Sequence, residues 1–183
     1  MSVREGLRPI DAGVHTDFRE AMSYADYLEL DTLLAAQHPK SEPPHHDELL
    51  FIVPHQTTEL WLKLILHELR AVRAYLDSDL VHQALKCLAR VKHIQRTLTE
   101  QWSVLATLTP NEYAEFRGTL GTASGFQSAQ YRAVEFILGN KNEHMLKVFA
   151  SDEAASAMLS ELLDQPSVYD AFLRFLDRRG LDI

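Results

Sequence analysis

The chain has 183 residues, with 24% charged and 46% hydrophobic side chains and a formal net charge of −8 at pH 7. A chain of this size and composition buries about 70% of its unfolded surface, which excludes a mainly disordered protein. The acidic balance argues against a nucleic-acid partner, and the lack of any run of roughly 18 apolar residues or of a signal-like N-terminus predicts a cytoplasmic protein with no membrane partner.

The N-terminal part of the chain is predicted to form an arm and a short helix. Residues 1–20 show no helical period and are expected to be an irregular arm, followed by one helical domain over residues 21–183. Ser23 is a suitable N-cap for a helix that reaches about Gln37. The prolines within residues 39–46 predict a loop after it.

Two long helices are predicted after this loop. Asp47 is expected to cap the first helix, which reaches about Leu76. A kink is expected at Pro54, because proline removes an amide donor from the helix. The second long helix is predicted from His82 to about Leu108, and both helices carry apolar residues at helical spacing.

Four shorter helices complete the pattern. Thr109, Pro110 and Glu112 form a capping box with proline in the first turn, and this helix is expected to stop at Gly121. The others are predicted over residues 126–138, 152–163 and 166–179. The sequence therefore predicts an all-α fold, a helical bundle with long antiparallel helices and an N-terminal arm. The single cysteine, Cys87, excludes an intrachain disulfide and is predicted to be a core thiol.

Phe51 and His55 are the first candidate site residues, since they lie one turn apart on one helical face. A histidine there is either hydrogen-bonded inside a bundle core or an acceptor or base that faces a pocket, and a kink at Pro54 favours the second interpretation. His55 and Glu59 also have the spacing of a metal-binding pair, so a carboxylate-bridged metal bundle is a further hypothesis.

Two other segments carry candidate binding groups. Arg117 lies on an aromatic helical face with Tyr113, and it either forms a surface salt bridge or clamps a carboxylate with its planar guanidinium. The segment Ser124–Ser128 is either a simple turn or a loop whose amides and hydroxyls bind a polar ligand, and Gly125 would allow a flat group to approach closely. It does not match the glycine patterns that bind nucleotides.

Two long strings in the chain are specific: residues 46–61 read HDELLFIVPHQTTELW, and residues 124–132 read SGFQSAQYR. Shorter characteristic strings are Tyr24–Leu28, Gln101–Leu105 and Phe116–Arg117. With these strings, nearly the whole chain resembles the tryptophan 2,3-dioxygenase family. The resemblance implies a helical enzyme containing haem b and its iron and assembled as a homotetramer. Such an enzyme adds both atoms of O2 across the indole C2–C3 bond of L-tryptophan, giving N-formylkynurenine in the kynurenine pathway of tryptophan catabolism.

The resemblance also implies roles for individual residues. His55 would be the distal histidine that accepts the indole N–H, with Phe51 packed on the indole. Arg117 would bind the substrate carboxylate, supported by Tyr113. The haem side would be lined by Trp102, Phe116, Leu120, Ser124 and Gly125. A neighbouring subunit would close the pocket with the N-terminal helix residues Tyr24, Tyr27 and Leu28.

The metal ligand is expected elsewhere. In the family, the proximal haem histidine lies in a later helix within a WRxxH-like string, whereas the tryptophans here are Trp61 and Trp102. The resemblance therefore implies that the proximal ligand lies beyond Ile183, that no residue of this chain binds the iron, and that the chain is the N-terminal portion of the family's domain. The alternative is a catalytically incompetent helical assembly module without haem.

Overall fold

The computed structural model describes residues 11, 13–14, 17 and 21–181. The chain divides into two compact units, residues 1–38 and residues 39–183. The secondary structure of the described residues is helical and contains no strand, which confirms the predicted all-α class. The arm predicted over residues 1–20 lies almost entirely outside the described residues and stays a prediction.

The first unit contains two short helices, α1 (Tyr24–Tyr27) and α2 (Leu30–Leu34). Ser23 caps α1 as predicted, in a capping box with Asp26. The prediction of one continuous helix up to Gln37 is wrong, because Glu29 has a φ of 52°. A residue in this left-handed region interrupts the run of helical dihedrals, so the helix stops and restarts there.

The second unit is built on two long helices, α3 (His46–Asp77) and α4 (Val81–Leu105). A short connection joins them, and the two pack against each other as antiparallel neighbours. The predicted cap of α3 is wrong by two residues: the imidazole Nδ1 of His45 accepts the N–H of Asp47 at 3.2 Å. Asp47 lies instead in the first turn, where its negative charge favours the positive end of the helix dipole.

Glu48 fixes the proline-containing loop to the start of α3. Its carboxylate is buried and accepts the N–H of Lys40 at 2.6 Å, the N–H of Ser41 at 2.9 Å and the Ser41 hydroxyl at 2.5 Å. Burial raises the pKa of Glu48, but the hydrogen bonds from Ser41 and Lys40 outweigh it and hold the pKa below its ordinary value. The loop is thus held by an ionised carboxylate.

The next segment begins as the sequence predicts. Thr109 and Glu112 form the capping box of α5 (Pro110–Arg117), with proline in its first turn. A 3-10 turn over Gly118–Leu120 extends it, and the segment ends at Gly121, whose φ of 55° suits glycine.

The helix predicted from Phe126 starts three residues later, as α6 (Ala129–Leu138). The hydroxyl of Ser128 accepts the N–H of Tyr131 at 3.1 Å and caps α6, while residues 125–127 form a separate 3-10 turn. Gly139, with a φ of 117°, ends α6 as predicted.

The last two helices, α7 (Glu153–Asp164) and α8 (Val168–Arg178), agree with the prediction to within two residues. A 3-10 segment over Glu143–Phe149 precedes them and has no counterpart in the prediction. The helix α3 is central, because α4, α5, α6 and α8 all contact it. Among the described residues, no helix combines the length and apolar character needed to cross a bilayer.

Burial along α3 changes at its middle. Its second half carries the buried residues Leu62, Ile65, Leu66, Leu69, Val72 and Leu76. Cys87 of α4 is buried in the same core, as predicted, and burial raises the pKa of its thiol. Phe51 and His55, in the first half of α3, are only half-buried, so this half remains available to form a site.

Candidate active site

An open groove of about 490 Å³ lies beside the first half of α3. One wall comes from α3 and the other from the segment between α5 and α6; the lining residues are Phe51, Ile52, His55, Gln56, Glu59, Leu120, Ala123, Ser124, Gly125, Gln127, Ser128 and Ala129. The volume lies within the range of small-molecule and cofactor sites, and the mixture of apolar walls with a few polar groups is typical of them.

Aromatic rings join α5 to α3 at this groove. The Phe51 ring stacks on Tyr113, with centroids 5.6 Å apart, and meets Phe116 edge-on at 5.9 Å. Tyr113 and Phe116 also meet edge-on, at 5.5 Å. Offset and edge-to-face pairs of this kind stabilise an interface beyond their buried area. The aromatic face of α5 is therefore held against the turn that carries Phe51.

The geometry of His55 fixes which ring nitrogen carries hydrogen. Its Nδ1 lies 2.6 Å from the carbonyl oxygen of Phe51. A carbonyl only accepts, so Nδ1–H is the donor, and Nε2 of the neutral ring is left as an acceptor. The ring lies 4.2 Å from the Phe51 ring and meets Trp102 edge-on at 6.2 Å. His55 is thus an oriented hydrogen-bond acceptor beside the groove.

Arg117 lies one turn after Tyr113 on α5 and is half-buried. Its Nη1 donates to the carbonyl oxygen of Gly121 at 2.9 Å. Within the described part of the chain it forms no ion pair, so the hypothesis of a surface salt bridge gains no support there. A guanidinium has five N–H donors, and the bond to Gly121 orients the plane without using them all.

The Ser124–Ser128 segment is ordered by its own side chains. The Ser124 hydroxyl accepts the N–H of Phe126 at 3.3 Å, and the Gln127 side-chain oxygen accepts the N–H of Ser124 at 3.1 Å. A Cβ added at Gly125 would meet no atom within 4 Å, so the groove is open at this residue. The segment is therefore a capped 3-10 turn that faces open space in the groove.

The structure brings most of the predicted site residues of the second unit together. Five line the groove, namely Phe51, His55, Leu120, Ser124 and Gly125. Tyr113 and Phe116 support Phe51, and Phe116 is fully buried rather than part of the groove lining. Trp102 is 54% exposed and lies against His55 in a separate pocket of about 10 Å³.

The predicted residues of the first unit are exposed. Tyr24 and Tyr27 are 75% and 74% exposed, and Leu28 is 39% exposed. None of the residues of α1 and α2 is buried. This aromatic and aliphatic surface is therefore available to another surface.

Sequence reasoning missed several residues of the site. Ile52 and Gln56 line the groove, and their i+1 and i+5 positions relative to Phe51 were a usable signal. Glu59 also lines the groove, but it was considered only as a metal-binding partner of His55. Thr58 and Gln101, which hydrogen-bond to each other and to Pro54, carried no such signal.

The metal-pair hypothesis depends on His55 and Glu59. The Glu59 carboxylate accepts a hydrogen bond from the Gln130 side chain at 2.9 Å, which joins α6 to α3. Among the described residues, no group of three or more His, Cys, Asp or Glu side chains is placed to hold a metal ion.

Nearly the whole chain is similar to known proteins. A sequence model described as tryptophan 2,3-dioxygenase matches residues 9–178. The chain belongs to the tryptophan 2,3-dioxygenase family. Its match to the tryptophan 2,3-dioxygenase of Rhodococcus jostii (strain RHA1) is 65% identical over 183 residues and covers 100% of this chain and 64% of that protein.

Other members of the family match over the same region. The tryptophan 2,3-dioxygenase of Kineococcus radiotolerans is 66% identical over 182 residues, covering 100% of this chain and 64% of that protein. That of Xanthomonas campestris pv. campestris (strain B100) is 58% identical over 180 residues, covering 98% of this chain and 60% of that protein. The chain thus spans 60% to 64% of the length of these relatives.

Proposed function

We propose that in the full-length protein this groove binds L-tryptophan beside haem, and that the protein uses O2 to open the indole ring and give N-formylkynurenine. The observation that carries the proposal is that Phe51 and His55 line one groove, with Tyr113 stacked on Phe51, in a chain of this family. Family membership does not favour a haem-free assembly module.

His55 and Phe51 supply the indole site in this proposal. The Nε2 lone pair of His55 accepts the indole N–H, because Nδ1–H is engaged by the Phe51 carbonyl. Phe51 offers a flat apolar surface for the ring, and Tyr113 supports Phe51 from behind. The single hydrogen bond contributes about 0.5–1.5 kcal/mol, so its main effect is to orient the indole.

Arg117 supplies the cation for the substrate carboxylate. Its planar guanidinium matches a carboxylate through two parallel hydrogen bonds, and the bond to Gly121 already orients it. A hydrogen bond to a charged group contributes roughly 1.5–3 kcal/mol. An amino acid is therefore favoured over an indole that lacks the carboxylate.

The groove fits one side of a flat apolar group. Leu120 and Ala123 are apolar, Gly125 leaves open space, and Ser124 adds a hydroxyl at the edge. We propose that Leu120, Ser124 and Gly125 hold haem there, with Trp102 and the buried Phe116 supporting the site from the His55 and Phe51 sides. Haem would supply the activation of O2, while these residues bind, orient and exclude water. We propose no residue of this chain as an iron ligand.

The exposed surface of the first unit is proposed to complete the pocket of a neighbouring subunit in a homotetramer. Tyr24 and Tyr27 are largely exposed on a helix of four residues, which is too short to be stable alone. Burying one such side chain contributes roughly 1.5–3 kcal/mol, so docking on a partner is favourable.

The test uses the full-length protein loaded with haem. L-Tryptophan and isotopically labelled O2 are supplied, and the product is analysed by mass spectrometry. We expect a ring-opened product that carries both labelled oxygen atoms, and no product when O2 is withheld. Haem binding without any tryptophan-dependent O2 consumption would refute the proposed reaction, and a protein without a haem absorption band would favour the assembly module.

A further inference from the structure

A polar side-chain network joins α3 to α4 beside His55. The Thr58 hydroxyl donates to the carbonyl oxygen of Pro54 at 2.7 Å, and the Gln101 amide donates to the Thr58 oxygen and, at 3.3 Å, to the Pro54 carbonyl. The Thr57 hydroxyl lies 3.0 Å from the same carbonyl and 3.4 Å from the Gln101 side-chain oxygen. The carbonyl next to His55 in the chain is therefore held from two helices.

The network lies beside the proline inside α3. Proline has no N–H, so Pro54 cannot donate to the carbonyl of Leu50, and its ring crowds that carbonyl. The helix nevertheless continues through Pro54 for its full 32 residues. The turn that loses this backbone bond carries Phe51 and His55, so its geometry depends on other contacts.

His55 borders the same residues in a second small pocket, separate from the groove. This pocket of about 10 Å³ is lined by Pro54, His55, Thr58, Gln101, Trp102 and Leu105. This space is about that of one water molecule, so the network and the imidazole line one small gap. Gln101 directly precedes Trp102, whose ring meets the His55 ring edge-on. The position of α4 relative to this turn thus sets the surroundings of His55 on that side.

We propose that Thr58 and Gln101 are positioning residues for His55. They hold the turn of residues 51–55 in register with α4, so that Nδ1–H stays on the Phe51 carbonyl and Nε2 stays an acceptor. The effect of Thr58 and Gln101 on tryptophan binding rests on the proposed function, because it requires that Nε2 of His55 accept the indole N–H. Their effect on the His55 tautomer does not depend on that function.

The experiment compares matched variants of the full-length protein. Thr58→Val removes the hydroxyl at nearly constant shape, Thr58→Ser keeps it, and Gln101→Leu removes the amide from the opposite helix. Thr97→Val is the control, because the Thr97 hydroxyl donates to the His93 carbonyl at 3.2 Å on an exposed part of α4. If Thr58→Val does not fold, Gln101→Leu still tests the proposal, because it breaks the same network from α4.

Two measurements are made on each protein. The first is the ratio of affinities for L-tryptophan and for an analogue whose indole N–H is replaced by oxygen. A ratio of roughly two- to twelvefold is expected with an oriented acceptor. The second is the ring-nitrogen NMR spectrum of histidine-labelled protein, with the His55 signals assigned from His55→Gln. This spectrum reports which nitrogen carries hydrogen.

We expect Thr58→Val and Gln101→Leu to bring the affinity ratio close to one and to mix the His55 tautomers. Thr58→Ser and Thr97→Val should keep both properties of the unmodified protein. An unchanged ratio and an unchanged Nδ1–H tautomer in Thr58→Val and Gln101→Leu would overturn the proposal. If the unmodified protein shows no preference for tryptophan while the tautomer changes in these variants, the positioning role is supported and the proposed function fails.

Discussion

Replacement of Glu48 by glutamine should destabilise the fold far more than the loss of an ordinary surface carboxylate. In the native structure the Glu48 carboxylate accepts three hydrogen bonds, two from backbone N–H groups and one from the Ser41 hydroxyl. The glutamine amide has one acceptor oxygen and turns an NH2 group toward at least one of these donors. With about 1.5–3 kcal/mol for each hydrogen bond to a charged group, we expect Glu48→Gln to cost about 2–4 kcal/mol.

The same site gives stability a defined dependence on pH. The pKa of Glu48 in the folded protein lies below its ordinary value of 4.5, so the ionised form is stabilised by folding. This contribution is fully present above about pH 4.5 and is lost as the pH falls through the folded-state pKa. The Glu48→Gln variant should therefore lose part of the acid dependence of unfolding, because its side chain does not titrate.

Urea unfolding of the full-length protein, followed by far-UV circular dichroism at several pH values, measures both effects. Glu100→Gln is the matched control, because Glu100 pairs with Arg96 at 2.7 Å on the surface and its side chain is 63% exposed. Such a pair contributes less than about 1 kcal/mol. Equal losses of stability in the two variants, or an unchanged acid dependence in Glu48→Gln, would refute the reasoning.

Three further predictions concern the proposed function. His55→Ala should lower kcat/KM for L-tryptophan about tenfold while the visible spectrum still shows haem, and loss of haem would mean that His55 is an iron ligand. Arg117→Lys should weaken tryptophan binding in calorimetry, because a point charge cannot replace the planar fork; equal turnover of tryptamine and tryptophan by the unmodified protein would contradict this role. Deletion of residues 1–37 should reduce both the oligomer mass in light scattering and the affinity for tryptophan, and a variant that retains both would exclude the proposed exchange between subunits.

The features that the sequence predicted correctly are those set by local chemistry. The capping box of Thr109 and Glu112 and the stop at Gly139 depend on residues within one turn of each other. The cap of α3 could not be predicted in this way. The cap is the imidazole Nδ1 of His45, which accepts the N–H of Asp47. In the same turn, the Glu48 carboxylate accepts the N–H groups of Lys40 and Ser41, which lie eight and seven residues earlier in the preceding loop. Asp47 was the better cap by residue type, but tertiary hydrogen bonds decided the position of the helix start.

In the candidate site, too, spacing within one helix was predictable and packing between helices was not. Helical spacing alone put Phe51 and His55 on one face, and the structure places their rings 4.2 Å apart. The packing of Tyr113 against Phe51 joins two helices, and periodicity within either helix contains no information about it. The residues alone left the Ser124–Ser128 segment as either a simple turn or a ligand-binding loop. Only the family resemblance favoured the second, because a glycine-containing turn is common in proteins without any ligand.

Pro54 lies inside α3, at a position where proline is normally disfavoured in a helix. A proline inside a helix costs about 3 kcal/mol. A residue type that conflicts with its local structure is expected mainly at functional or strained sites. Here three side-chain hydrogen bonds converge on the Pro54 carbonyl, each contributing about 0.5–1.5 kcal/mol, and their sum is comparable to that cost. Thr58 and Gln101 lie 43 residues apart in the chain, so no local pattern could reveal that they meet. Thr57 and Thr58 of α3 and Gln101 of α4 hold the turn next to the missing backbone bond, and the residue that we propose this arrangement orients is His55.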